Sequence, residues 1–169
     1  MPNTREYQVV GEDFLDSAAT TGTLRQLIPA SAEETFAGFE DADAWPVWLD
    51  PVDEVVWTSP QPFGVGTTRD IKGRTGVISE TFFAWEHGRR MGFYFASGAV
   101  PGLAAFAEDW ALTPRGVDEC ELVWRYGFEF AGAYKVLRPV VAFAFKRMGA
   151  KSLRQLAQYM ADNRDRYAS

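Results

Sequence analysis

The sequence predicts an α+β domain in which an antiparallel sheet is closed by one long C-terminal helix. Three observations carry that expectation. Over residues 119–132, ECELVWRYGFEFAG, Cys120, Leu122, Trp124, Tyr126, Phe128 and Phe130 alternate with neighbours that include Glu121, Arg125 and Glu129. That is the period of two expected for a strand with one buried face. Over residues 134–166, Leu137, Val141, Phe145, Met148, Ser152, Leu156 and Tyr159 recur at intervals of three and four, which lines up one face of a helix. Before them, from residue 53 onward, short apolar runs are separated by short turns, and strands joined this way form an antiparallel meander. A ring-rich strand this long needs cover, and the helix carries the matching stripe. A curved sheet gripping a helix leaves room for a cavity, so the same two segments point to the holding of an apolar molecule.

The elements follow in order. Residues 1–20 are weakly patterned and read as an N-terminal arm, with Tyr7, Val9, Val10 and Phe14 available to dock. Residues 21–28, TGTLRQLI, form the first strand, and Pro29 ends it. Ser31 with Glu34 is a capping box: the hydroxyl caps backbone N–H while the carboxylate reaches back. It opens a short helix over 32–40 with Thr35, Phe36 and Phe39 inward. Asp43 is placed to cap a second short helical turn beginning at Trp45-Pro46, and Pro51 stops it. Trp45 and Trp48 are too costly to expose together, which sets them at the rim of the core. Strands follow over 53–58, 66–72, 77–85, 89–96, 105–113 and 119–132, with loops SPQPFG, GRTG, EHG, SGAVPG and PRG between them. The strand 77–85 carries rings on both faces, Phe83 and Trp85 on one and Phe82 on the other, so its parity is open. Pro139 falls in the first turns of the last helix or kinks it. Gly149 beside the stripe leaves space for a ligand, or lets a strand come close. No repeat or linker divides the 169 residues, so residues 21–166 read as a single domain.

Hydrophobic residues make up 47% of the chain and aromatic ones 15%, which excludes a disordered chain. A domain of this size buries roughly 70% of its unfolded surface. Its thirteen Phe, six Trp and six Tyr fill a core or, since large rings leave gaps, line a space within it. The net charge of −6 argues against DNA or RNA as partner, since either needs a basic footprint. Lys146, Arg147, Lys151 and Arg154 form a local basic face on the last helix. A solvated face is the preferred reading, and an anionic membrane surface the alternative. Cys120 is the only cysteine, so no intramolecular disulfide forms and a structural zinc is not expected. No signal peptide opens the chain, and the apolar run 136–145 is too short and interrupted to span a bilayer. A cytoplasmic protein without an integral membrane segment is expected, as a monomer or homodimer.

Catalytic chemistry has little to stand on. His87, the only histidine, lies in the turn Glu86-His-Gly-Arg89, the wrong place for a ring that must be buried beside a nucleophile. No His or carboxylate cluster suits a metal, and no cofactor is expected. Gly64-Val-Gly66 leads into a strand and not into a helix N-terminus, so it is a turn and not a phosphate loop. In FAEDWAL, residues 106–112, Glu108 shares parity with Phe106, Trp110 and Leu112 and faces inward if they do. A buried carboxylate needs a partner or becomes protonated. Arg69, which shares a face with Thr67 and Ile71, is the candidate partner. Glu108 is then a structural ion pair or rim residue, or a group that orients a ligand's hydroxyl or carbonyl or acts as a general acid or base. Asp109 and Glu80 are expected outward. The loop SGAVPG is either a gate beside the cavity or a flexible hairpin connection.

Several stretches resemble one family. Ile28-Pro-Ala30 runs into a helix opening at Ser31; Trp45-Pro-Val-Trp48, Gly64-Val-Gly66-Thr67 and the closing strand and helix follow. In the order strand, two short helices, six strands, long helix, the chain resembles the START/Bet v1-like (SRPBCC) superfamily over residues 21–160. Within it, the polyketide cyclase/dehydrase and lipid-transport group is most similar. The resemblance implies the helix-grip fold: a seven-stranded antiparallel sheet wrapped around a long C-terminal helix, with two short helices after the first strand. Members bind lipids, sterols, polyketides, plant hormones or quinones, cyclise or dehydrate aromatic polyketides, or assist chaperones, so the fold does not settle function. The expected function is binding, sequestration or transport of a hydrophobic small molecule, without catalysis. Trp48, Phe93, Phe95, Trp110, Trp124 and Tyr126 are expected to line its cavity with Phe128, Phe145 and Met148, and Glu108 and Arg69 to supply polarity. One alternative is an enzyme of the aromatic polyketide cyclase/dehydratase type, which folds a reactive chain in a shaped pocket, with Glu108 as its candidate catalytic group. The other is a partner-binding module with an exposed apolar face.

Overall fold

The computed structural model describes residues 4–168. The chain enters through β1 (Arg5–Glu6) and a single turn α1 (Phe14–Ser17), then forms β2 (Thr20–Ile28). Two short helices, α2 (Ala32–Glu40) and α3 (Trp45–Trp48), precede a run of six strands. These are β3 (Val52–Trp57), β4 (Thr68–Gly73), β5 (Gly76–Glu86), β6 (Arg90–Gly98), β7 (Leu103–Pro114) and β8 (Cys120–Phe130). A 3-10 segment, Gly132–Leu137, leads into α4 (Arg138–Tyr167). The sheet order is β2-β8-β7-β6-β5-β4-β3, antiparallel throughout. Strands β3 to β8 are neighbours in sequence because their connections are too short to cross the sheet; β2 closes against β8. This is the helix-grip architecture.

Local chemistry explains the helices. The Ser31 hydroxyl accepts from Glu34 N–H at 3.1 Å and the Glu34 carboxylate accepts from Ser31 N–H at 2.7 Å, the reciprocal cap expected for α2. Thr35, Phe36 and Phe39 are buried as expected. At α3 the expectation fails: Ala44 holds the N-cap position with no side-chain cap, and Asp43 N–H donates to Asp41 instead. Nor do the α3 tryptophans sit at a rim. Trp45 and Trp48 are each 1% exposed, because Phe39, Trp45, Trp48 and Trp110 pack ring on ring at 4.7–6.3 Å. Pro139 lies in the first turn of α4, where its missing N–H costs nothing, and the helix runs on to Tyr167.

Two halves of α4 differ. Gly149, Ser152, Leu153, Leu156, Tyr159 and Met160 are buried, where the helix packs on β2, α2 and α3. A side chain at Gly149 would start 2.6 Å from Leu24 Cδ1 and 2.9 Å from Trp124 Cζ3, so its hydrogen is what lets the helix seat against β2 and β8. The half before Gly149 is exposed or half-buried. Leu137, expected on the buried stripe, is exposed, since it lies in the 3-10 segment, where the angular spacing of the stripe is lost. At the other terminus, β6 and β7 pair only as far as Tyr94 and Ala107. The N-terminal segment fills the gap beyond: Tyr7 N–H donates to Ala96 O at 2.9 Å and Gln8 N–H to Ala104 O at 3.0 Å. Tyr7 is buried there, whereas Val9 is exposed.

Candidate ligand cavity

Between the first half of α4 and the curved sheet lies a cavity of about 260 Å3. Val141, Phe145 and Met148 wall it from the helix. Phe93 and Phe95 of β6, Leu103 and Phe106 of β7, and Trp124, Phe128 and Phe130 of β8 wall it from the sheet. Pro51, the β4–β5 hairpin from Gly73 to Gly76 and Val100 also line it. Val100 belongs to the loop SGAVPG, which therefore does border the cavity.

The structure brings Arg69, Phe93, Phe95, Glu108, Trp124, Phe128, Phe145 and Met148 together around this space, as expected. Trp48, Trp110 and Tyr126 are not in its wall, and each has a physical reason. Trp48 is turned into the ring cluster, and Trp45, one helical turn earlier, faces the cavity in its place. Trp110 stacks on Trp124 at 4.5 Å, under α2 and α3. Tyr126 lies across Gly22 of β2, its cross-strand partner, with ring atoms 2.3 Å from where a side chain at Gly22 would begin; Phe145 covers it at 4.6 Å.

The inner end of the cavity is polar. Arg69 Nε donates to Glu80 Oε2 at 2.6 Å, with both side chains buried. The guanidinium centre lies 4.2 Å from the Trp45 ring centroid, 4.8 Å from Phe93, 5.1 Å from Phe82 and 5.3 Å from Trp57. Four ring faces thus stand in for water around the cation. Burial pushes the Glu80 carboxyl above its ordinary value while Arg69 pulls it down. Glu108 is inward, as parity demanded, and its Oε2 accepts from Trp110 Nε1 at 2.7 Å. Burial pushes its carboxyl up to about 8; the Trp110 bond opposes this and the Glu80 charge adds to it. At neutral pH the group is mainly a neutral acid and can donate as well as accept. At this end two buried donors, Arg69 Nη1 and Trp124 Nε1, have no acceptor among the described residues. Trp124 Nε1 sits beside the Glu108 carboxyl without reaching hydrogen-bond geometry.

Glu80 corrects the sequence reading. It was expected outward but is 4% exposed and belongs to the polar end. The pairing of β5 with β6 slips at Ser79/Glu80 and again between Phe82 and Ala84. Each irregularity breaks strict alternation, so Phe82 and Trp85 end 5.1 Å apart on one side while Phe83 covers Gly92. Arg69 pairs with Glu80, its direct cross-strand partner between β4 and β5, and not with Glu108. Asp109 is on the opposite side of β7 from Glu108 but is buried, under an Arg90 guanidinium that also reaches Glu12. Trp45 and Phe106 carried signals that could have found them: Trp45 through its pairing with Trp48, Phe106 through shared parity with Glu108. His87 is an exposed turn residue near Glu33 and Glu40. Among the described residues no group of three His, Cys, Asp or Glu is placed to hold a metal.

Residues 19–161 match the family of polyketide cyclase / dehydrase and lipid transport proteins. The chain belongs to that family. Uncharacterized proteins of Mycobacterium tuberculosis and Mycobacterium bovis are 35% identical over 157 residues, covering 89% of this chain and 90% of theirs. Solved structures share the fold at lower identity. The Zhui aromatase/cyclase of Streptomyces sp. R1128 superposes with a TM-score of 0.69 at 11% identity, over 85% of this chain and 94% of that one. The di-domain aromatase/cyclase BexL of the BE-7585A biosynthetic pathway gives 0.71 at 13% identity, over 84% of this chain; the match spans 46% of that two-domain chain. A START superfamily protein of Mycobacterium smegmatis gives 0.60 at 14% identity, over 80% of this chain and 98% of that one. The family supports a fold that binds hydrophobic ligands. No helix among the described residues is long and apolar enough to cross a membrane.

Proposed function

We propose that this protein binds a hydrophobic small molecule carrying an oxygen-bearing group at one end, and that it sequesters or transports that molecule. One observation supports the reading above all. The residues that line the polar end of the apolar cavity include Arg69 and Trp124, each with a buried donor, Nη1 and Nε1, that has no acceptor among the described residues, beside the neutral Glu108 carboxyl. An unpaired buried donor costs about 1–3 kcal/mol, and a ligand carbonyl, hydroxyl or carboxylate oxygen at that place removes the cost. The rings and aliphatic side chains toward the mouth take the apolar remainder, in the usual division of labour of a small-molecule site. Native mass spectrometry of freshly purified protein, followed by titration with a long-chain fatty acid and with a polyaromatic ketone, tests this. Retained or acquired apolar mass is expected. Protein that emerges empty and takes up neither compound sinks the reading.

An enzyme of the aromatic polyketide cyclase/dehydratase type is the second reading, and Glu108 favours it. A carboxyl near 8 is suited to general acid or base work at neutral pH. Turnover of a linear poly-β-ketone that is lost in Glu108→Gln, with binding retained, would move the protein to that class. Turnover unchanged by the substitution removes Glu108 as the acid or base.

A further inference from the structure

The 3-10 segment and the first half of α4 together are apolar on two sides. Val141, Phe145 and Met148 face the cavity. On the other side Val136, Val140 and Phe143 are 76%, 69% and 66% exposed, and Tyr134 and Leu137 beside them are exposed as well. Nothing in the fold requires large apolar groups there. From Val140 the outward positions continue at helical spacing as Phe143, Arg147, Lys151 and Arg154, so one helix face is apolar at its start and basic further along. Arg147 lies 5.8 Å over the Phe143 ring, where the two parts meet.

The charge of this region is opposite to that of the rest of the chain. Residues 130–161 hold Lys135, Arg138, Lys146, Arg147, Lys151 and Arg154 and no Asp or Glu, in a protein of net charge −6. All six cations are exposed. Among the described residues only Lys151 has an ion-pair partner, Asp50 at 2.7 Å. Elsewhere Arg25, Arg69, Lys72, Arg90, Arg115, Arg125, Arg164 and Arg166 are paired, and Arg5, Arg74 and Arg89 have no ion-pair partner among the described residues. Exposed apolar side chains followed along one helix face by cations, most of them unpaired among the described residues, match an interface of hydrocarbon edged by anions. A second copy of the chain fits worse, because a twofold contact would set six cations against six.

We propose that this face docks on the surface of anionic phospholipid bilayers, with Val136, Val140 and Phe143 entering the acyl boundary and the Lys and Arg side chains meeting phosphate. Docking brings the bilayer to the helix turns whose opposite side walls the cavity. It needs no ligand inside, so an empty cavity in native mass spectrometry leaves it standing.

The test is sedimentation of the whole protein with vesicles of phosphatidylcholine alone or mixed with phosphatidylserine, at low and high salt. Binding to the mixed vesicles, weakened by salt, is expected. Val140→Ser/Phe143→Ser and Arg147→Glu/Arg154→Glu are each expected to weaken it on the order of tenfold, with unchanged circular dichroism. Cys120 is buried, so Phe143→Cys carries an environment-sensitive dye selectively and is expected to brighten with mixed vesicles. The same dye at Val117→Cys, in the loop between β7 and β8, is expected to stay dark. No sedimentation with either vesicle overturns the proposal, as does equal binding by the variants or equal response of the two dyes. A doubled mass by light scattering that Val140→Ser/Phe143→Ser abolishes also overturns it, and makes the face a contact between copies.

Discussion

Glu108 shows how far one side chain's character is set by its surroundings. Its alternation with Phe106 and Trp110 was legible in the sequence and placed it inward. Its protonation was not, because that depends on how much water the packed rings exclude. The folded carboxyl titrates near 8 and its ordinary value is 4.5, so between those values the folded state keeps a proton the unfolded state has lost. Stability from this group therefore falls as pH rises through that window and levels off above it. Glu108→Gln keeps an acceptor for Trp110 Nε1 and carries no charge. It is expected to be more stable than the parent at about pH 9 by up to a few kcal/mol, and nearly equal to it at about pH 5. Urea unfolding at both values checks this, and parallel pH profiles for the two proteins would refute it. Arg69 was also legible as inward. Its partner was not, since Glu80 stands directly opposite it only once the register of β4 on β5 is set by strand pairing.

At the scale of elements, periodicity served well wherever the chain is regular. The capping box of α2 and the alternation of β8 are local patterns, and both appear in the structure. Strand β5 failed for a local reason of another kind: an irregular pairing with β6 moves side chains between faces and leaves no mark in composition. Gly149 carried two readings, and packing chose the close approach of α4 to Leu24 and Trp124. Trp124 is stacked on Trp110 and cannot retreat, so Gly149→Ala gains about 1 kcal/mol of helix propensity but overpacks the contact by about 1–3 kcal/mol. A net loss of up to about 2 kcal/mol is expected by the same balance. Thermal or chemical unfolding measures it, and a stabilised variant would show that the helix seat is loose.

The molecule as a whole is a sheet whose C-terminal cover, α4, is tight over one half and open over the other. The second half of the helix closes the core, and the first half borders the cavity. Val141 is half-buried on that border. Val141→Trp is expected to fill part of the space and lower uptake of an apolar ligand on the order of tenfold, while stability changes by less than about 1 kcal/mol. Competition for a fluorescent fatty acid reads the uptake. Undiminished uptake would place the ligand elsewhere.

The sequence by itself determined the α+β class, the strand order after α3, the inward carboxylate and the ring-rich wall. All of these follow from periods of two and 3.6 and from turn residues, which are local properties of the chain. Only the tertiary structure decided that Trp45 replaces Trp48 in the wall, that Tyr126 is spent covering Gly22, that Arg69 belongs to Glu80, and that two donors are left without acceptors. Each of these depends on residues distant in sequence competing for the same few ångströms. A period can say which way a side chain points, but not what already occupies the place it points to.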